Sequence, residues 1–547
     1  MTEAKPKPVP PAPPRIKPPR YFPGKVASFI IVACLLTIVV TRVFQEVIAR
    51  RMPMFDDAFL NLSTIILGFI ASLTFFLWFV IRSSYPGLVR LLTFLAVPAS
   101  IVIFLSFFEI VEVTGNMLPT WAPRGAKKAD STLGKVTAAV QETKLDLATT
   151  TPDDFPQFLG PNRNNYLPGP KLADDWKATP PKEIWRQKIG AGWSAFSVVN
   201  GYAVTMEQRG DDEWVTCYEV ATGKPVWGHT IPARHENVLG GIGPRSTPTI
   251  HNGKVYALGA TGVLRCLDGA TGKLLWKDDL LKRYGLEQIP AEEIVMWGRA
   301  NSPLVVDNLV IVPAGGPVGK SKSLIAFRAD SAKEVAWEGG NRQISYASAS
   351  IATLGGVRQI VIVNEDTVTG HDLKTGQELW SHEWPGKSNG PASSSQPHVL
   401  NDNTILLSKG YGSGAELISV KLAGDKWQVE SQEQNQRVLK TKYTNITIIG
   451  QHAYGLSDGV LECVEVATLQ PTWKRGRFGH GQILGVGDKI LVLGEAGELA
   501  LVAADPDTYR ELGKIQALHG RTWNNLCLTG KLLLIRNSEE AACYELP

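Results

Sequence analysis

The sequence predicts an all-β fold, an eight-bladed β-propeller of four-stranded antiparallel blades, preceded by three transmembrane α-helices. Three observations predict it: long apolar runs near the N-terminus, a phrase that recurs in the rest of the chain, and tryptophans with a period in the forties. At 547 residues the chain is too long for one ordinary domain unless that domain is a large closed β structure. Its net charge of +4 with 20% charged residues is typical of a folded protein without a nucleic-acid partner.

The N-terminal part predicts a tail and a membrane domain. The first 25 residues hold nine prolines and six Lys or Arg against one Glu, a composition that buries too little apolar surface to fold. Apolar runs follow at about 26–48, 58–81 and 91–113, and each can cross a hydrocarbon core of about 30 Å. We therefore predict a disordered tail (1–25), a three-helix transmembrane domain (26–113), a linker (114–151) and the propeller (152–547).

Basic residues predict the orientation. The tail carries six of them and the loop between the second and third spans adds Arg82 and Arg90, whereas Arg50 and Arg51 on the other side are offset by acidic residues. This bias places the N-terminus in the cytoplasm, so three crossings of an inner membrane leave the propeller in the periplasm. An alternative is a lipoprotein cleavage site at "IVAC" with Cys34 lipidated, but "LLTIVV" follows where a processed lipoprotein turns polar.

One phrase recurs along the predicted propeller. It reads "LRCLDGATGKLLW" at 264–276, and close variants stand at 215–227, 368–380 and 461–473. A period in the forties with several short strands per unit is typical of propeller blades. The tryptophan of each unit is expected to pack between neighbouring blades as a structural anchor. The anchors are Trp185, Trp227, Trp276, Trp337, Trp380, Trp427 and Trp473, with Leu512 in the eighth place.

Tight turns and the chain ends support a count of eight. Each unit has a turn signal between its first two strands. These signals are Asn200-Gly201, Asn252-Gly253, Asp307-Asn308, Gly355-Gly356, Asp402-Asn403, Gly450-Gln451, Gly487-Asp488 and Thr529-Gly530. The last unit (530–547) lacks a fourth strand, while the strand of Trp185 has no blade before it. Pairing the two closes the ring and leaves no open sheet edge.

The phrase "LDGATGKLLW" resembles the repeat of PQQ (pyrroloquinoline quinone)-like β-propellers over about residues 155–547. The lead-in "DFPQFLGPNRNNYLPG" (154–169) is similar to that of a bacterial, BamB-like branch. This superfamily includes quinoprotein alcohol dehydrogenases and the outer-membrane assembly lipoprotein BamB. The resemblance implies the fold, but one fold hosts many activities.

The resemblance also implies what a quinone site needs. In the dehydrogenases a central pocket holds Ca²⁺ on acidic and amide side chains, with an Asp base, a Trp under the quinone and, in many, a disulfide between adjacent cysteines. No two of the six cysteines here are adjacent, and Cys217, Cys266, Cys463 and Cys543 share one repeat position that suits buried thiols. The carboxylates at the neighbouring position are expected to accept hydrogen bonds from the backbone amides of their own hairpins. They are Glu219, Asp268, Asp372, Glu465 and Glu545.

The loops that enter each innermost strand are the candidate site, because they line the channel. They contain no Asp or Glu, so a Ca²⁺ site is poorly supported. Cationic and aromatic groups suit an anionic or sugar-like ligand or a peptide; alternatively, these groups bond one another and water across a closed channel. His480 has no metal-like spacing to a second His. The residues are Trp193, Arg245, Arg299, Asn301, Tyr346, Gln396, Tyr443, Asn445, His480, Arg521, Trp523 and Asn524.

We therefore predict a membrane-anchored binding or scaffold module for a protein or envelope component. No catalytic residue, metal or cofactor is assigned, and the partners are the lipid bilayer and a protein contacted through the propeller loops. One alternative is a membrane-bound, PQQ- and Ca²⁺-dependent oxidoreductase that passes electrons to the quinone pool. A second is an accessory subunit of a larger membrane complex, in which Asn61 and Glu109 mark helix contacts.

Overall fold

The computed structural model describes residues 19–52, 55–126, 128–134, 136, 145–317, 319–320, 322–330 and 334–547. It contains two compact units. The first comprises the described residues up to 47, with 59–109 and 122–124, and the second comprises 48–58, 110–121 and the described residues from 125 to the C-terminus. Residues 1–18 of the predicted tail lie outside the described residues.

Four helices open the chain: α1 (Lys25–Val43), α2 (Gln45–Arg51), α3 (Asp57–Arg82) and α4 (Gly87–Phe107). α1, α3 and α4 are long and apolar enough to cross a membrane, with mean hydropathies of 2.5, 2.4 and 2.3. α4 ends at Phe107, and the chain continues as a strand, Phe108–Val113. The third span predicted to reach residue 113 is therefore too long at its C-terminal end, because the β-branched residues Ile110, Val111 and Val113 favour a strand there.

Polar side chains join α1 to α3 within the first unit. The Arg42 guanidinium donates hydrogen bonds to Asn61 Oδ1 (2.6 Å) and Thr64 Oγ1 (2.9 Å). A polar group inside an apolar segment needs such a partner, and a neighbouring helix supplies it. Asn61 thus makes a helix contact within its own chain.

The second unit contains eight blade sheets, each with four antiparallel strands and one with a fifth strand, which confirms the predicted propeller. We number the blades along the chain and letter their strands a to d. Blade 1 has strands Ser197–Val199, Tyr202–Arg209, Asp212–Glu219 and Pro225–Pro232; blade 2 has Thr249–His251, Lys254–Leu258, Val263–Asp268 and Leu274–Asp279. Blade 3 has Leu304–Val306, Leu309–Pro313, Leu324–Arg328 and Val335–Gly339; blade 4 has Ser350–Leu354, Val357–Val363, Thr367–Asp372 and Glu378–Glu383.

The remaining blades follow the same order. Blade 5 has His398–Asn401, Thr404–Lys409, Gly414–Ala423 and Lys426–Asn435; blade 6 has Thr447–Ile449, His452–Ser457, Val460–Glu465 and Gln470–Arg477. Blade 7 has Gln482–Val486, Lys489–Leu493, Glu498–Ala503 and Glu511–Gln516; blade 8 has Cys527–Thr529, Leu532–Arg536, Glu540–Glu545 and Lys182–Lys188. Short elements lie between blades, namely helices Leu280–Arg283 and Ala291–Ile294 and the paired strands Glu236–Asn237 and Gly241–Ile242. Before the propeller the chain forms the paired strands Phe108–Val113 and Pro119–Pro123 and the short helix Ala129–Thr132.

The ring closes through strands from both ends of the propeller. Strand Glu540–Glu545 pairs antiparallel with Lys182–Lys188, and Cys543 stands opposite Trp185. This confirms the mixed closure of blade 8. Blade 7 carries an additional, unpredicted strand, Tyr166–Leu167, which runs parallel to its strand a with Tyr166 opposite Gly485.

The repeated phrase builds a turn that its own carboxylate stabilises. Asp268 Oδ1 accepts hydrogen bonds from the Thr271 amide (2.9 Å) and hydroxyl (2.6 Å). Asp372 with Thr375 repeats this pair of bonds, and the Thr222 and Thr468 hydroxyls donate to Glu219 and Glu465. The predicted bond to a backbone amide is thus found for Asp268 and Asp372, whereas Glu219 and Glu465 bond a threonine hydroxyl of the turn instead.

The tryptophan of one blade covers the turn of the next. Trp227 Nε1 donates to Gly269 O in blade 2 (2.9 Å), and a Cβ on Gly272 would lie 2.6 Å from the indole. Gly272 has φ +69°, so both its conformation and this contact favour glycine. Corresponding indole hydrogen bonds join Trp185 to Val220, Trp337 to Leu373 and Trp473 to Asp505.

Three tryptophans behave differently. Trp276 lies against Phe327 of blade 3, with ring centroids 5.5 Å apart, and Trp380 donates to Gln359 of its own blade (2.6 Å). Trp427 stands opposite Leu422, close to the turn of a longer hairpin. It therefore does not occupy the anchor place predicted from spacing, because the longer strands c and d of blade 5 shift it along the sheet.

Candidate functional site

One end of the propeller gathers the loops that enter each strand a. Because neighbouring strands in a blade are antiparallel, the turns between strands b and c lie at this same end. We call this end the channel face. It contains the predicted site residues and also turns that the sequence analysis did not consider.

Several predicted site residues join neighbouring loops of this face. Asn301 Nδ2 donates to Ala347 O (2.6 Å), which links the loops of blades 3 and 4. Asn445 Oδ1 accepts from the Gln396 amide (2.9 Å), and Arg299 donates to Gly315 O (2.9 Å). Asn524 reaches Ser194 O (2.8 Å) across the closure between blades 8 and 1. These four side chains therefore form hydrogen bonds with the backbone of neighbouring loops.

Arg245 and Tyr346 hold loops beside the channel. Arg245 donates to Gly240 O (2.7 Å) and Gly241 O (3.1 Å), and burial lowers its pKa to about 10. Tyr346 donates to Ser388 O (2.6 Å), and its ring lies 5.4 Å from that of Trp297. Both side chains therefore hold the backbone of neighbouring loops in place.

The other predicted residues form one cluster, the mouth cluster, in which Arg521 is sandwiched between two indoles. Its guanidinium carbon lies 4.3 Å from the Trp523 ring centroid and 5.1 Å from that of Trp193. The ring centroid of Tyr443 lies 4.8 Å from that of Trp523 and 5.3 Å from that of His480. The mouth cluster consists of Trp193, Tyr443, His480, Glu495, Arg521 and Trp523.

Glu495 is the member that sequence reasoning missed. Its Oε1 accepts from Trp523 Nε1 (3.0 Å), and its Oε2 accepts from the His480 amide (3.1 Å). The loops that enter the strands a contain no carboxylate, but the turn between strands b and c of blade 7 brings this one to the same face. Glu495 follows strand b of blade 7, and the antiparallel order of the strands is the signal that could have placed it on this face.

Residues 110–121, a hairpin around the Phe108–Val113 and Pro119–Pro123 strands, insert into the mouth cluster. The Gly115 amide donates to Glu495 Oε1 (2.9 Å), and His480 Nε2 bonds Asn116 Oδ1 (3.0 Å). Arg521 forms an ion pair with Glu112 (2.8 Å) and donates to Val113 O. Part of the predicted linker is thus a docked segment of the second unit.

Gly115 makes this docking possible. A Cβ at this position would lie 2.0 Å from Tyr443 Oη and 2.4 Å from His480 Cδ2. Tyr443 is held between Trp523 and His480, so it has little room to move away. Only a residue without a side chain fits here.

Burial sets the charge of the mouth cluster. It lowers the pKa of His480 to about 4, so the imidazole is neutral at pH 7. Asn116 Oδ1 can only accept, so His480 Nε2 carries the proton. Burial also raises the pKa of Glu112 and lowers that of Arg521, against the attraction between the two.

Comparison with known proteins identifies the family. The family model described as "Outer membrane protein assembly factor BamB" matches residues 178–285 and 211–475. No curated protein matches the chain. Among solved structures, a europium-containing methanol dehydrogenase is similar with a TM-score of 0.55 and 10% identity, covering 72% of this chain and 98% of that one.

Two further solved structures are similar at comparable identity. Quinohemoprotein alcohol dehydrogenase ADHIIG from Pseudomonas putida HK5 has a TM-score of 0.53 and 12% identity over 76% of this chain and 83% of its own. BamB from Moraxella catarrhalis has a TM-score of 0.48 and 13% identity over 67% of this chain and 100% of its own. Since the family model spans more than half of the sequence, the chain belongs to the BamB-like family of PQQ-repeat β-propellers, here with apolar helices at its N-terminus.

Proposed function

We propose that this protein is a non-catalytic, membrane-anchored binding and scaffold module whose channel face contacts a protein partner. The observation that supports it is the occupancy of the mouth cluster by a polypeptide segment. The cluster contacts a carboxylate, a backbone carbonyl, a backbone amide and a side-chain amide of residues 112–116. Such a set of groups recognises peptide.

The helices and their flanking charges support the proposed placement in the cell. α1, α3 and α4 are the three spans, and the basic residues favour a cytoplasmic N-terminus. We propose that three crossings of the inner membrane leave the propeller in the periplasm, where it meets envelope proteins.

An apolar loop tip beside the mouth cluster supports a protein contact. Val238 and Leu239 lie between the short strands Glu236–Asn237 and Gly241–Ile242 and are 49% and 37% exposed. Trp193 Nε1 donates to Gly240 O (2.6 Å), which fixes this loop to the cluster. Adjacent exposed apolar side chains on a fixed loop suit a partner surface.

Site-specific photo-crosslinking tests the proposal. A photoreactive residue at Val238 of the full-length protein, irradiated in its native membranes, is expected to give one discrete protein adduct. The matched position is Leu275, 47% exposed on strand d of blade 2 at the propeller rim, which should give none. Absence of an adduct at Val238, or the same adducts at both positions, would contradict the proposal.

The residues of the channel face do not fit Ca²⁺ and PQQ. Glu495 already accepts hydrogen bonds from Gly115, His480 and Trp523, and Arg521 covers the face of Trp523. Within the described residues no group of three or more His, Cys, Asp or Glu side chains could hold a metal ion. We therefore propose no quinone chemistry for this face.

A cofactor titration checks this disagreement. PQQ added to the full-length detergent-solubilised protein, with and without Ca²⁺, is expected to leave tryptophan fluorescence unchanged after correction for absorbance. Trp193 and Trp523 would report binding at the mouth cluster because stacked or nearby quinone quenches indole emission. Saturable quenching at micromolar PQQ, beyond that of free tryptophan at matched absorbance, would favour the oxidoreductase alternative.

A further inference from the structure

We infer that the mouth cluster is a receptor for an acidic turn with the pattern Glu-x-x-Gly-Asn, and that the chain's own residues 112–116 are its tethered occupant. A partner protein that presents the same pattern replaces this segment. The inference rests on the proposed function and names the chemistry of the partner. It concerns a site formed by the six side chains of the mouth cluster.

Each fixed position of the pattern has its own contact. The acid at the first position pairs with Arg521 (2.8 Å), which the two indoles hold in place. The glycine brings its amide to Glu495 (2.9 Å) where any side chain would collide with Tyr443. The asparagine accepts from His480 Nε2 (3.0 Å). The two positions in between contribute a backbone carbonyl, from Val113, and carry no further requirement.

The tethered segment leaves the cluster incompletely satisfied. Tyr443 Oη, His480 Nδ1 and Arg521 Nε are buried and have no hydrogen-bond partner among the described residues. A buried polar atom without a partner has lost its hydrogen bond to water, which opposes docking of the hairpin. A partner turn that reaches these atoms binds with an advantage over residues 112–116, so exchange is possible.

The ends of the docked segment are open to solvent. Ile110 and Leu118, which flank the contacts, are 40% and 47% exposed. An exposed apolar residue on either side gives an incoming chain a place to contact before the turn leaves. Release therefore requires breaking the contacts that run from Glu112 to Asn116.

The test uses full-length protein in lipid nanodiscs and a labelled synthetic peptide of residues 110–119. Gly115→Ala places a Cβ against Tyr443 and should expel the hairpin. Gly134→Ala is the matched control, because a Cβ there meets nothing within 4 Å. A tethered competitor acts at about millimolar effective concentration, so the peptide should bind the Gly115→Ala protein at least about tenfold more tightly than wild type or Gly134→Ala.

Three results would overturn the inference. Unchanged hydrogen exchange of residues 112–118 in Gly115→Ala would show that the glycine is not required. Exposed residues 112–118 without peptide binding would show that the cluster is no receptor. Equal binding of a peptide carrying alanine for Gly115 would show that the pattern is not read. A crosslinked adduct at Val238 that persists in any of these cases would leave the proposed function standing.

Discussion

Replacing Arg265 by methionine is expected to destabilise the propeller by about 3–5 kcal/mol, because it leaves a buried carboxylate without its counter-ion. Arg265 of blade 2 pairs with Glu213 of blade 1 (2.6 Å), and their side chains are 0% and 2% exposed. The other Glu213 oxygen accepts from the Ala260 amide (3.0 Å). Removing the guanidinium therefore breaks an inter-blade contact and leaves the Glu213 carboxylate buried without a counter-ion.

The pKa directions of this pair agree with a large effect. Burial raises the pKa of Glu213 and lowers that of Arg265, although each partner opposes the shift of the other. Desolvation thus outweighs the attraction for both groups, which is the situation in which loss of one partner is most destabilising. A neutral Glu213 would reduce the penalty but would remain without a partner for one of its oxygens.

Urea unfolding of the full-length protein, followed by tryptophan fluorescence, measures the change in the free energy of unfolding. Arg328→Met is the matched control, because Arg328 also lies on a strand c but forms an exposed ion pair. Its side chain is 48% exposed, and that of its partner Glu334 is 57% exposed. An exposed pair contributes about 1 kcal/mol or less. The double variant Glu213→Leu/Arg265→Met should recover most of the loss, because no unpaired charge remains. Equal effects of Arg265→Met and Arg328→Met would contradict the prediction.

The blade architecture could be predicted because its signals are local. The Asp268 and Thr271 side chains and Gly272 form one turn within five residues, and the Trp227 indole covers that same turn. Each repeat therefore contains the residues that form its own turn. The strand of Trp185, which has no blade before it in the sequence, predicts how the ring closes. The spacing argument failed at Trp427, where longer strands moved a tryptophan without changing the period.

The site was less accessible to sequence reasoning because it joins residues that are far apart in the chain. The 12 loop residues predicted for the channel divide into two groups, and only the structure separates inter-loop bonds such as Asn301 to Ala347 from the mouth cluster. Gly115 contacts Glu495 across 380 residues. A polar stretch after a membrane span carries no sequence signal for such docking, and hydrophobic periodicity does not describe it.

Acidification is expected to destabilise the propeller steeply between about pH 6.5 and pH 4. Burial lowers the pKa of His398 and His480 to about 4, and that of His235 to about 3. Below the unfolded value of about 6.5, the unfolded chain binds protons on these groups whereas the folded chain does not. The stability is therefore fully present above about pH 6.5 and is lost as the pH falls through the folded values.

The size of the effect follows from the shift. A folded pKa of about 4 against an unfolded value of about 6.5 corresponds to about 3 kcal/mol for each of His398 and His480 at pH 4. His398 and His480 are 5% and 1% exposed, so solvent screens their contribution to the pH dependence least. Glu213 and Glu462 act in the opposite direction, since burial raises their pKa values and the folded protein takes up protons there more readily. The change of the unfolding free energy with pH is therefore the difference between the histidine and glutamate contributions. A single-residue variant is needed to isolate the histidine contribution.

His398→Leu provides that variant. The His398 ring is buried and its Nε2 has no hydrogen-bond partner among the described residues, so leucine removes an unsatisfied group from this position. The free energy of urea unfolding should fall from pH 7 to pH 5 less steeply in His398→Leu than in wild type, by about 1 kcal/mol per pH unit on average. Parallel pH profiles for the two proteins would contradict the prediction, because they would show that His398 takes up its proton equally in the folded and unfolded chains. A shallower profile would identify a neutral buried imidazole as one source of the acid sensitivity of the propeller.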